Sequence, residues 1–561
     1  MSRYSFAARC LLAFGLAVSS GPLAAQSAPP FSTALDVRLV ELEVSVVDEA
    51  GSPLRGLTGE DFRLFEDGVE VPIQHLSELG DGAASGGSSS GLPSAAAPAP
   101  THLVVFLDEL HTSPSRRAAL YQVLREGLTR RLPAGAQVML ARYEGGLQVL
   151  LPFTDKRPAI AAAMEQAVGF LSSQAMRGET DRLMVLDAIV ADAREGPCLF
   201  GDELARQYGE RVRADAQQLL RTLDGLVGAL DTIPGRKALL YVGDGVPPRP
   251  GEEALETYIE RCGGEGVARG VPGAKDTATF GEARFHRPDP NKLRLESESW
   301  DMGDDWQRLA ARANGVGVPL HALTLRAPGS AGESIAAQER GPSAVVMGGA
   351  AMAAGDVGAL LADETGGRVL IADATVAEQV ETVMAPRQGY LLAFAAPSAA
   401  DPRTRRVRVE VKRPGAQVRH RLSYATLGGD WKMIDRLFAA LYLGAGENPL
   451  QLRVEAPKVS AAAPRRLRVA LPLARLTLLP EGEVAQGRFT VFVVTRDAAG
   501  ALSAVREKEV PVRLPATGLA AAQQRDFVYE VALPATAVPL EAAVGVRDEL
   551  SGELAFVRLE L

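Results

Sequence analysis

The sequence predicts an α/β protein: a doubly wound, mostly parallel sheet with smaller β units beside it. Two stretches carry that expectation. Residues 102–113, HLVVFLDELHTS, form an apolar run without alternation that ends on Asp108. Residues 236–245, RKALLYVGDG, repeat the arrangement and end on Asp244. Unalternating apolar residues suit strands covered on both faces, as in parallel sheets. A third observation is that such runs alternate with helical patterns between Thr101 and Tyr424, the sign of a sheet flanked by helices. An aspartate at the carboxyl end of a buried strand lies where open α/β sheets bind ligands.

In chain order, Val40, Leu42, Val44 and Val46 alternate with Leu39, Glu41, Glu43 and Ser45, the period of a half-buried strand. Residues 48–53 read as a turn, 57–62 as a short helical turn with Thr58 as candidate cap, and Phe65-Glu66-Asp67-Gly68 as a hairpin. This segment, 35–79, is too small to stand alone. Residues 80–100, rich in Gly, Ser, Ala and Pro, read as a flexible linker. Within 101–387 the pattern predicts helices at 115–132, 156–170, 181–194 (Thr180 just before it), 212–230 and 355–365. Strands are expected at 137–143, 146–153, 318–325 and 368–371. Residues 245–300 and 327–354, rich in Gly, Pro or charge, read as irregular excursions. From Gly389 the period of two returns. Strands at 390–395, 407–412 and 418–424 are expected to join the early strands in one small sheet, so that 35–79 pairs with 388–425. After a helix at 431–442, strands at 451–455, 467–472, 490–496, 508–512, 527–532 and 541–548 predict a β-sandwich over 430–561.

With 561 residues the chain is too long for one core and fits about three domains. It is 47% hydrophobic and 23% charged, an ordinary globular balance. A net charge of −9 provides no basic field for nucleic acid. Arg3 and Arg9 precede an apolar core at 11–18 and the small residues of LAAQ. That order reads as a secretory signal peptide, 1–25, too short to span a bilayer. The chain is expected to be exported, periplasmic or secreted, with no transmembrane segment. Cys10 would leave with the signal peptide, so Cys198 and Cys262 are expected to form a disulfide in an oxidising compartment, the alternative being two buried thiols.

With these segments placed, the chain resembles the bacterial VWFA-related family, secreted proteins with a von Willebrand factor type A domain. The matching pieces are VRLVELEVSVVDEAGSPLRGLTGEDFRLFEDG, HLVVFLDELHTS, RKALLYVGDGVP, LADETGGRV and GYLLAFAAPSAADPRTRRVRVEVKRPGAQVRHRLSY, spanning about 37–424. The resemblance implies a metal-ion-dependent adhesion site: Asp-x-Ser-x-Ser after the first strand, a Thr from a second loop and an Asp from a third. Mg²⁺ or Ca²⁺ held by few protein charges could then bind a partner's carboxylate. The first motif here is Asp108-Glu109-Leu110-His111-Thr112, in which Leu110 cannot ligate. Asp108, Thr112, Thr180 and Asp244 are therefore the candidate ligands of a degenerate site, and His111 reads as an exposed loop residue. The competing reading is that Asp108 and Asp244 cap loops by bonding backbone amides.

Enzyme chemistry finds little support. The six histidines form no His-x₃-His pair. Gly332-Glu333-Ser334-Ile335 is not a nucleophile elbow. Gly263, Gly264 and Gly266 lack the Lys-Ser/Thr of a phosphate loop. Glu252, Glu253 and Glu256 read as a solvated face. The expectation is an exported, non-enzymatic protein-binding or adhesion module. Its partner is an unidentified protein, one that offers a carboxylate if the site holds metal. The alternative is a cell-envelope scaffold that binds through its C-terminal sandwich without metal.

Overall fold

The computed structural model describes residues 38–79, 101–133, 135–195, 198, 200–262, 290–324, 357–384, 388–396, 403–425, 429–444, 446–456, 466–498, 500–533 and 539–561. The expected signal peptide, the expected linker at 80–100, the 327–354 stretch and residues 263–289 lie outside these. The chain is mixed α/β, with a mostly parallel six-stranded sheet and several antiparallel sheets.

The first strands are β1 (Arg38–Val47), β2 (Phe62–Glu66), β3 (Val69–Val71) and β4 (Ile73–Leu79). The central unit then runs β5 (Thr101–Asp108), α1 (Pro114–Arg130), β6 (Gln137–Tyr143), β7 (Leu147–Thr154), α2 (Arg157–Gly169), α3 (Ser173–Glu195) and α4 (Gly201–Asp231). It continues with β8 (Arg236–Val242), α5 (Glu252–Cys262), α6 (Pro290–Glu298), α7 (Gly303–Gly315), β9 (Leu320–Thr324), α8 (Val357–Thr365), β10 (Val369–Ile371) and α9 (Val376–Met384). The sheet order is β10-β9-β8-β5-β6-β7, parallel throughout except that β7 runs against β6.

Side chains alternate across a strand, and here both faces are covered. Val104 and Phe106 of β5, with Leu239 and Tyr241 of β8, enter a core shared with α4, α7 and α8. Leu103, Val105 and Leu107, with Ala238, Leu240 and Val242, enter a second core against α1, α2 and α9. That explains why neither run alternates in sequence. Helix α4 spans 31 residues, about 46 Å at 1.5 Å per residue, roughly twice the reach of a seven-residue strand. Its second half packs on the sheet. The first half, through Ala205 and Tyr208, joins α3, α5, α6 and Trp300 in a separate helical lobe. A Cys198–Cys262 disulfide ties the segment before α4 to the end of α5.

This lobe corrects the reading of 245–300 as irregular. Ala254, Leu255, Tyr258, Ile259 and Cys262 fall on one helical face and are buried in it. Helix α4 also begins eleven residues before the expected 212.

Strands β11 (Gly389–Ala396), β12 (Thr404–Val411), β13 (Gln417–Arg419) and β14 (Ser423–Ala425) follow. They pair with the opening strands as two four-stranded antiparallel sheets, β13-β1-β11-β4 and β14-β12-β2-β3. The expectation of one sheet is thus corrected. The run expected as a single strand at 418–424 breaks at His420, whose ring bonds Val409 N and the Arg421 carbonyl, and its two halves join different sheets. The sheets share a core that includes Leu42, Val44, Leu64, Tyr390 and Phe394. The unit sits at the amino ends of the central strands: Arg421 donates to the carbonyls of Asn314 and Glu41, and Leu422 N to Glu364 O at 3.0 Å.

Helix α10 (Gly429–Leu443) leads to β15 (Arg453–Glu455), β16 (Arg466–Pro472), β17 (Leu479–Glu481), β18 (Val484–Asp497), β19 (Arg506–Pro515), α11 (Leu519–Ala522), β20 (Asp526–Ala532), β21 (Pro539–Asp548) and β22 (Leu554–Glu560). The three-stranded sheet β15-β16-β20 and the five-stranded sheet around β18 enclose one apolar core. The opposite face of β18 and β21, with Phe492, Val494 and Ala543, joins Leu437 and Phe438 of α10 in the core of the parallel sheet. Gly228 of α4 makes room for this junction: a Cβ there would lie 2.2 Å from Asp435 and 2.4 Å from Arg312, which form a buried ion pair.

Candidate functional site

Strands β5 and β8 are neighbours in parallel register, Leu107 opposite Val242. Asp108 and the Gly243-Asp244-Gly245 turn therefore leave the sheet at the same edge. The chain continues from β5 to β6 on one side, whereas β8 lies on the other. This is the switch point at which doubly wound sheets open a crevice. Gly243 permits close approach, since a Cβ there would lie 2.9 Å from Thr112 Oγ1 and 3.2 Å from Asp108 Cβ.

Asp108 is fully buried. Its Oδ1 accepts from the backbone N–H of Leu110 at 3.1 Å and of His111 at 3.0 Å. Its Oδ2 lies 2.9 Å from His111 Nδ1 and accepts from the Tyr241 hydroxyl. Thr112 Oγ1 donates to the Asp108 carbonyl. Asp244 Oδ2 accepts from Ser113 N, the residue that precedes α1, and from the Arg116 guanidinium, both at 2.8 Å. Each carboxylate thus caps a loop and faces a basic side chain of its own chain. Arg116 is 44% exposed.

The expectation for His111 is corrected: only 13% of its side chain is exposed, and its ring stacks on Tyr143. Burial alone would lower the imidazole pKa. The charge and hydrogen bond of Asp108, with the charge of Asp215 on α4, outweigh that and raise it. Burial pushes the Asp215 carboxyl up, against the pull of His111 and Arg211. Tyr241 is pushed far up, first by burial and then by Asp108, so it remains a protonated donor.

Beside Asp108, Glu109 is buried and paired with Arg117, whose guanidinium also donates to the carbonyls of Ala167 and Val168 at the end of α2. The same guanidinium lies 4.6 Å over the Tyr121 ring. This pair ties the loop after β5 to α1 and α2.

The structure gathers Asp108, Thr112 and Asp244 at one edge; Thr180 does not join them. Thr180 lies within α3, exposed, and donates to Met176 O at 2.8 Å. Its helix begins earlier than expected because Ser172 Oγ accepts from Ala175 N at 3.0 Å and fixes the first turn. Sequence reasoning missed Arg116, Tyr241, Glu109 and Arg117. Arg116 and Arg117 fall in the first turn of the helix expected at 115–132 and Tyr241 in an apolar strand run, and neither pattern marks a residue for the site.

A Mg²⁺ or Ca²⁺ ion needs six or more oxygens. Here the donor set does not fit one: Leu110 has no donor, Thr180 is elsewhere, and the carboxylate oxygens bond amides, a phenol, an imidazole and a guanidinium. Among the described residues no group of three or more His, Cys, Asp and Glu side chains is placed to hold a metal. Compared with family models and with curated proteins, the chain matches none.

Proposed function

We propose that this chain is an exported, non-enzymatic protein-binding module. In this reading residues 101–387 are a von Willebrand factor type A domain, set beside a small β unit split between 35–79 and 388–425 and followed by a β-sandwich over 430–561. One observation carries the reading. Two aspartates leave adjacent parallel strands at the switch point of the sheet, the crevice where this architecture recognises ligands. Export is supported by the Cys198–Cys262 bond, which suits an oxidising compartment. No helix among the described residues is long and apolar enough to cross a membrane.

The test is capture from cell-envelope extract on immobilised protein, comparing wild type with Arg116→Glu at the strand-end edge. Retention by the first and loss by the second supports recognition at that edge. Equal retention by both assigns binding elsewhere.

A second reading, an envelope scaffold that binds through its C-terminal sheets, draws on a specific observation. Those sheets share a core with the central unit through α10, which suits a rigid structural body. Val528 is exposed on β20. Loss of capture by Val528→Arg, with Arg116→Glu unaffected, would favour this alternative.

A further inference from the structure

We infer that the charge role a divalent ion plays in a type A adhesion site is taken here by the chain's own Arg116, held on Asp244, so that the strand-end edge works without metal. This rests on the type A reading proposed above.

Asp244 Oδ2 accepts from Ser113 N and Arg116, each at 2.8 Å. Asp108 Oδ1 accepts from two backbone amides, and its Oδ2 bonds His111 and accepts from Tyr241. A cation entering between them would meet a guanidinium already paired with one carboxylate, and an imidazole and a phenol bonded to the other. Moving these groups differs in difficulty. Arg116 is 44% exposed, and its release into water costs little. His111 and Tyr241 are packed against the ring stack of Tyr143 and Phe106, and Asp108 is fully buried. Moving them opens a packed core. Leu110, in the place of the motif's first Ser, offers no oxygen even then. These features act together: one motif oxygen is missing, and the Arg116 guanidinium already sits on one of the two carboxylates.

In ordinary adhesion sites the exposed ion meets the partner. In this chain the exposed cationic group at the edge is Arg116. It is held by Asp244 through one terminal nitrogen, a geometry suited to receiving a carboxylate on its remaining N–H groups.

The experiment uses the full-length chain and Mn²⁺ as probe, followed by electron paramagnetic resonance and by urea unfolding. Wild type is expected to give the free-ion Mn²⁺ spectrum and an unfolding midpoint unchanged by Mn²⁺ or by EDTA. Arg116→Ala should favour unfolding by roughly 2–5-fold in the equilibrium constant, the range of an exposed ion pair. The same change in an Asp244→Asn background should have no effect. One bound Mn²⁺ per chain that Asp244→Asn abolishes would overturn the inference. So would an equal effect of Arg116→Ala in both backgrounds. Failure of envelope capture would sink the function proposed above while leaving the Mn²⁺ result standing, so the two failures are separable.

Discussion

His111 lies against Asp108 on its own loop, with Asp215 of α4 as a second acidic neighbour. Its raised pKa gives folding a definite pH dependence. A raised imidazole stabilises the native state fully below the unfolded value of about 6.5, and that contribution fades as pH rises through the folded value. Urea midpoints of wild type and His111→Gln should therefore differ most below this value and converge at higher pH; a constant gap would contradict the pairing. The Glu109–Arg117 pair makes a second prediction. Arg117→Met would leave a buried carboxylate without its partner, at a cost of about 3–5 kcal/mol in unfolding free energy. The additional change Glu109→Gln should recover part of it. At this scale the sequence was informative about acids and silent about their partners. Asp108 and Asp244 stand out because each interrupts an apolar run. Arg116 meets Asp244 across 128 positions, and no local pattern encodes such a contact. His111 misled because loop position suggests exposure, whereas Tyr143 covers its ring.

At the scale of elements, strands were legible wherever one rule governed them. The unalternating runs of β5 and β8 became strands between two cores, and the alternating run at 38–47 became β1. Helices were harder where Gly and charge diluted the pattern. Helix α5 hides five inward-facing residues among four glutamates, a threonine and an arginine between Glu252 and Cys262, and α3 continues through Gly178. The lobe these helices form has a small core of its own, so its covalent tie matters. Replacing Cys198 and Cys262 with Ala should cost about 2–4 kcal/mol of the lobe's stability. Hydrogen exchange should show the loss in α5 and α6 while β5 and β8 keep their protection. Uniform loss across both would mean that the lobe and the sheet unfold together. Strands β17 and β22 went unread: Leu479, Pro480 and Glu481 of the short β17 are all exposed, and β22 is an edge strand with only part of its length buried.

For the whole molecule, the shared core around α10 governs separability. A chain ending at residue 425 would uncover the face of α4 that α10 covers and would leave Arg312 of α7 without Asp435. It should bind a hydrophobic dye and aggregate, whereas the full chain should not. A well-behaved monomer from that truncation would show the C-terminal sheets to be an independent appendage. The sequence signalled a change of period after residue 430 but not this junction, because a helix that joins two sheets in one core reads like any other amphipathic helix.

The split β unit has one further effect. It is docked at the amino ends of the central strands, where Arg421 and Leu422 bond carbonyls in the last turns of α7 and α8. The first described residue, Arg38, belongs to that unit. A chain anchored ahead of Arg38 would carry Asp108, Asp244 and Arg116 on its far side, aimed away from the surface that holds it. The molecule has a front and a back, set by which end of its strands the early and late segments close together.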